Sequence, residues 1–310
     1  MRPFNRSTTT IACLLTLLAI SLSACITYTN NAEKELELDQ TRVALAITQT
    51  ALAPVAVPTA TETMEQIESP EPEPTLDPVI QAIPDVEFQG ISFSYDDDLA
   101  SSVDLSIVPY QIDPNGITSF SFPSHYSFTF DGYALSDTFH NPIIRVYPIS
   151  NYESINSYAE TVIEQLRSLL QSQPSIAVND QLPLIPPWNA AQMFSAEAAY
   201  ITFQNGSGLR YLTMHGQAYY PIDNYNMIYV FQGITNDGEY LLSAILPISN
   251  PGLPAKGEDT IDDWDAFYEF HDAYIAQAAM QVDEFTADSF MPTLGMLDEM
   301  MASFLIEPNE

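Results

Sequence analysis

The sequence predicts an α+β fold: an antiparallel sheet covered by helices, placed after a signal peptide and a Pro-rich linker. Three observations predict it. From about Val86, Phe, Tyr and Ile alternate with polar residues in short runs. Over about 151–171 the period changes to a helical one. Further on, Asn205-Gly-Ser-Gly208 and Asn236-Asp-Gly-Glu239 separate long strand-like runs, and both supply residues that tolerate positive φ, as a meander needs.

The chain divides into four parts: 1–24, 25–53, 54–85 and 86–310. In 1–24 the only charges are Arg2 and Arg6, followed by the apolar run Ile11–Ile20. That run is too short to cross a hydrocarbon core of about 30 Å and reads as a secretory signal. Residues 32–53 are rich in Ala, Leu, Glu and Gln without a clean heptad, so a short stalk helix is expected. Between 54 and 84 there are seven prolines, which exclude helix and central strand. An extended, self-repelling tether is expected there.

Within 86–310, strands are expected at Phe88–Tyr95, Asp104–Tyr110, Tyr126–Phe130 and Pro142–Pro148. A helix follows over 151–171, with Ser150 and Glu153 as a capping box and Tyr152, Tyr158, Val162, Ile163 and Leu166 inward. Pro183, Pro186 and Pro187 interrupt regular structure in 173–188. Strands are then expected at Ala199–Gln204, Leu209–Tyr220, Asn226–Thr235 and Tyr240–Ile248. Two closing helices are expected: Asp262–Met280, capped by Thr260, and 293–304 with Leu294, Leu297, Met300, Met301 and Phe304 inward.

At Leu22-Ser23-Ala24-Cys25 the chain resembles the bacterial lipoprotein lipobox. The resemblance implies cleavage before Cys25 and lipidation of its thiol. It places the protein outside the cytoplasm, with a membrane as its partner through a lipid anchor. Each buried methylene of such an anchor contributes roughly 0.8 kcal/mol. The order of elements over about 120–306 is similar to the α/β/α sandwich of the PsbP-like family. Asn151-Tyr152…Tyr158-Ala159-Glu160 and Ala302-Ser303-Phe304 carry that likeness. The family contains binding and assembly factors, and the resemblance transfers no catalytic residue.

Composition excludes some functions. With 41 Asp and Glu against 8 Lys and Arg, the net charge of −33 argues against nucleic acid as a partner. It suits instead a protein partner with a basic surface. Two cysteines exclude a disulfide-dense scaffold and a thiolate zinc cluster. His125, His140, His215 and His271 stand in no metal or hydrolase spacing, and no GxSxG elbow occurs. Asp96-Asp97-Asp98 and the acidic run from Glu258 to Asp265 miss the calcium-loop pattern. No phosphate loop calls for a cofactor. Tyr219, Tyr220, Tyr225, Tyr229 and Tyr240 fit either a ligand groove or sheet packing. The expected function is a non-catalytic binding or assembly domain on a lipid anchor. A cell-envelope hydrolase and an accessory subunit of a membrane complex stay open beside it.

Overall fold

The computed structural model describes residues 83–117 and 120–308. The expected signal peptide, stalk and most of the linker, with Cys25, lie outside the described residues.

Among the described residues ten strands occur: β1 (Val86–Phe88), β2 (Ile91–Phe93), β3 (Ser102–Val108), β4 (His125–Asp131), β5 (Ile143–Pro148), β6 (Ala191–Phe203), β7 (Gly206–Gly216), β8 (Ile228–Thr235), β9 (Tyr240–Pro247) and β10 (Leu305–Ile306). Four α-helices accompany them there: α1 (Ile149–Ile155), α2 (Ser157–Ser172), α3 (Trp264–Asp283) and α4 (Leu294–Ala302). Seven strands make one antiparallel sheet in the order β3-β4-β5-β9-β8-β7-β6, and β1-β2-β10 make a small second sheet.

Both faces of the large sheet are covered. Tyr229, Phe231, Leu242, Ala244 and Leu246 belong to one core, shared with α3, α4 and the small sheet. Ile228, Val230, Leu241 and Ile245 belong to the other, shared with α1, α2 and the segment Leu182–Ile185. Every residue of β8 is therefore buried. Two-sided cover is the reason β8 and β9 read as near-continuous apolar runs rather than as alternation. The mixed α+β character and the helix-covered antiparallel sheet match the expectation.

Several details differ. The helical period over 151–171 is two helices broken at Asn156. The Asn156 side chain accepts a hydrogen bond from the Ala159 N–H (3.0 Å), capping α2, and donates to the Ser121 carbonyl (3.1 Å). The expected capping box does not form: α1 starts at Pro148 without a side-chain cap, and Glu153 pairs with Arg167 at 2.7 Å. Tyr158, expected inward, is exposed. The α3 helix is capped by Asp263 rather than Thr260, because the Asp263 carboxylate reaches the Ala266 N–H at 3.1 Å. The helix at 294–302 is capped by Thr293, and its five expected inward residues are all buried.

The turn between β6 and β7 is Gln204-Asn205, shorter than the expected Asn205–Gly208. Gly206 and Gly208 lie inside β7 because aromatic rings occupy the space of their missing side chains. A Cβ on Gly206 would stand 2.1 Å from Phe203, and one on Gly208 would stand 2.2 Å from Phe231. The Asn205 amide donates to the Ile306 carbonyl (2.7 Å) and accepts from its N–H (3.1 Å). That clamp holds β10, a strand too short to leave a periodic signal.

A buried polar network ties α4 to the sheet. Arg210 donates to Asp298 (3.2 Å) and to Glu197 (3.4 Å), and Tyr229 donates to Asp298 (2.9 Å). Burial holds the Asp298 and Glu197 carboxyls above the ordinary carboxylate range, against the pull of Arg210.

The glycines give a test of opposite signs. Gly208→Ala forces Phe231 aside and is expected to destabilise the domain by about 1–3 kcal/mol. Gly295→Ala, in the exposed first turn of α4 with nothing within 4 Å, is expected to stabilise it by about 0.5–1 kcal/mol. Urea unfolding of the two variants measures both.

A candidate binding cleft

On the α1/α2 face of the sheet, strand register aligns four polar side chains in one row: Ser127 on β4, Arg145 on β5, Ser243 on β9 and Gln232 on β8. Two of the four hold a loop. Gln232 accepts from the Ile185 N–H (3.0 Å) and donates to the Ile185 carbonyl (3.2 Å). The Ser243 hydroxyl donates to the same carbonyl and accepts from Gln232 (3.0 Å). Tyr211 adds a bond to the Pro183 carbonyl (2.9 Å). These contacts pin the proline-rich segment to the sheet and set Pro186, Pro187 and Trp188 as a wall.

The other two members of the row, Arg145 and Ser127, line a cleft of about 1110 Å³ beside that wall. Arg145 is half-buried and has no hydrogen bond or ion pair among the described residues. A second wall comes from the loop before β5. There His140 stacks on Trp188, with ring centres 4.8 Å apart and planes 10° apart. His215, near the end of β7, meets the Trp188 ring edge-on at 5.1 Å. His125, at the start of β4, donates from Nδ1 to the Pro123 carbonyl (2.9 Å) and packs on Tyr147 at 4.4 Å.

The rim comes from two loops tied together by Asp223. Its buried carboxylate accepts from the N–H groups of Asn226 (2.8 Å) and Gly257 (2.8 Å) and from the Asn226 amide (3.0 Å). The tie brings Lys256 over the Tyr225 ring, with Nζ 4.8 Å from its centre. Lys256, Tyr225 and Glu258 all line the cleft.

Burial pushes His125, His140 and His215 each down to about 4. All three rings are therefore neutral at pH 7. Among the described residues none of the three has a carboxylate within hydrogen-bond reach, and His125 is oriented by the Pro123 carbonyl instead. The arrangement can stack a planar group and present two cations.

Of the residues singled out in the sequence, the structure brings together His125, His140 and His215 with Tyr220 and Tyr225. It leaves His271 on α3, stacked on Tyr219 at 4.1 Å. Tyr229 is a core residue, and Tyr240 packs partly buried against the same core. Asp96 caps its own turn by accepting from the Asp98 N–H (2.8 Å). Among the described residues no three His, Cys, Asp or Glu are placed to hold a metal ion, and no helix is long and apolar enough to cross a membrane. Cys25 lies outside the described residues. Sequence reasoning missed Arg145, Trp188 and Lys256. The signal for Arg145 was present: a lone cation inside the apolar strand Pro142–Pro148.

No family model, no curated protein and no solved structure matches the chain.

The neutral histidines set a pH dependence. Unfolding lets each ring take a proton below its ordinary value near 6.5, whereas the folded state holds it off until about 4. Their contribution is thus complete above pH 6.5 and declines as pH falls toward 4. His140→Phe keeps a ring against Trp188 and removes one titration. Between pH 7.5 and 5 this variant is expected to lose less stability than the parent, by on the order of 1 kcal/mol. Thermal unfolding at the two pH values measures the difference.

Proposed function

We propose that this protein is a membrane-anchored extracytoplasmic lipoprotein whose α+β domain binds a small molecule in the cleft and does no chemistry on it. The observation that carries the binding reading is the cleft itself: about 1110 Å³, with a wall held in place by buried hydrogen bonds. Its size suits an organic ligand of drug-like dimensions or larger. Among the described residues no lining histidine pairs with a carboxylate, which supports binding over hydrolysis. The lipobox-like Leu22-Ser23-Ala24-Cys25 supports the anchor. Two covered faces on one antiparallel sheet agree with the likeness to the PsbP-like family, whose members are more often binding and assembly factors than enzymes.

A second reading, an accessory subunit of a membrane complex, is favoured by one feature. Edge strand β3 exposes Leu105 (40%) and Ile107 (53%), and the chain after it exposes Tyr110 and Ile112. An apolar, unpaired edge of this kind invites strand addition or docking.

The two parts of the main reading are tested separately. Cys25→Ser is expected to leave the detergent phase on phase partitioning and to lose labelling by a fatty-acid analogue; a variant that still partitions with detergent overturns the anchor. Protein purified from its own membranes in nonionic detergent is expected to release a small molecule on denaturation, detectable by mass spectrometry. Trp188→Ala is expected to release at least fivefold less, and equal release from both proteins overturns the cleft as the binding site. Under the accessory-subunit reading, a partner copurifies and is lost in a Leu105→Lys/Ile107→Lys double variant.

A further inference from the structure

We propose that the ligand of the cleft is an aromatic organic anion: a carboxylate or like group on a flat ring system, held by Arg145 and Lys256. The inference rests on the binding reading above and adds the chemical class of the ligand.

The argument begins with where the cations are. After residue 82 the chain has only Arg145, Arg167, Arg210 and Lys256. Arg167 is taken by Glu153 (2.7 Å) and Glu164 (3.3 Å), and Arg210 by Glu197 (3.4 Å) and Asp298 (3.2 Å). Arg145 and Lys256 pair with no carboxylate among the described residues, and both line the cleft. In a chain with 41 carboxylates, two unpaired cations in one cavity are not a shortage of partners. A half-buried guanidinium without hydrogen bonds leaves its desolvation uncompensated, and an incoming carboxylate supplies the missing acceptors.

The two acids on the lining do not cancel this. Asp223 already accepts three hydrogen bonds within its own loops, so its charge is engaged by N–H donors. Glu258 is exposed, as Lys256 is, so solvent screens both and the half-buried Arg145 carries most of the attraction. The three histidines are neutral at pH 7 and change neither sign.

The body of the ligand follows from the planes. The parallel Trp188–His140 pair and Tyr225, linked through Phe139, put a run of aromatic rings on the cleft lining. Flat rings stack on such surfaces, and the stacked face of a neutral imidazole tolerates them without a charge penalty.

The test uses the full-length protein in nonionic detergent, titrated calorimetrically with three ligands of one shape: 2-naphthoate, 2-naphthamide and 2-naphthylmethylamine. The expected order is the anion first, at least tenfold tighter than the amide, with the amine weakest. Arg145→Gln is expected to remove most of the anion-over-amide preference and Lys256→Gln a smaller part of it, with the far-ultraviolet circular dichroism of both variants matching the parent's. Raising the salt concentration is expected to weaken the anion alone. Equal affinity for all three, or a preference that survives Arg145→Gln, overturns the charge inference and leaves the binding reading standing. No binding of any of the three overturns both.

Discussion

The cleft depends on the attachment of one residue's backbone. Ile185 is the non-proline residue between Leu184 and Pro186 that the sheet grips on both its N–H and its carbonyl. Its neighbours Pro183, Pro186 and Pro187 have no N–H to offer, so this stretch cannot join the sheet as a strand. The attachment answers two needs together. Buried Gln232 and Ser243, fully enclosed beside apolar neighbours, would be expensive without partners. A proline-rich loop would have no fixed height above the sheet without donors and acceptors to meet it. Mutual satisfaction fixes the wall, the wall fixes Trp188, and Trp188 orders His140 and His215 around it. The height of this loop wall above the sheet is thereby set by side chains on strands β8 and β9.

The same polar row explains why the cavity stops where it does. Toward β8 the row is occupied by Ile185 and the core closes over it. Toward β4 the row continues as half-buried Arg145 and buried Ser127, which line the cleft. A single register level of the sheet thus passes from packed interior to cleft floor across four strands.

The framework was legible in the sequence to the extent that periodicity carries it. Strands at 142–148 and 240–248, the α3 segment and the inward face of α4 could be read because a burial pattern repeats along each of them. What failed was local. Ser150 and Glu153 have capping-box spacing, yet Pro148 sets the start of α1 and Arg167, fourteen residues away, takes Glu153. Gly206 and Gly208 look like turn residues because nothing in the local sequence shows that Phe203 and Phe231 will lie over them. The cleft was illegible for a stronger reason. Its residues come from the β4 and β5 region, the proline-rich segment, the end of β7 and the loops at Tyr225 and Lys256, and only the sheet order makes them neighbours. The histidines could be noticed one by one. Their convergence on one cleft belongs to the tertiary structure.

The small sheet has a mechanical meaning. Its middle strand, β2, is flanked by β1 at the start of the domain and by β10 at its end, and Phe93 stacks on Phe304 at 4.3 Å across the join. Along the chain from residue 83 the first paired structure is a hairpin of two three-residue strands, ahead of every strand of the large sheet. Because β10 closes the same small sheet from the other end, fraying at either end of the described domain meets this sheet before it meets the strands under the cleft.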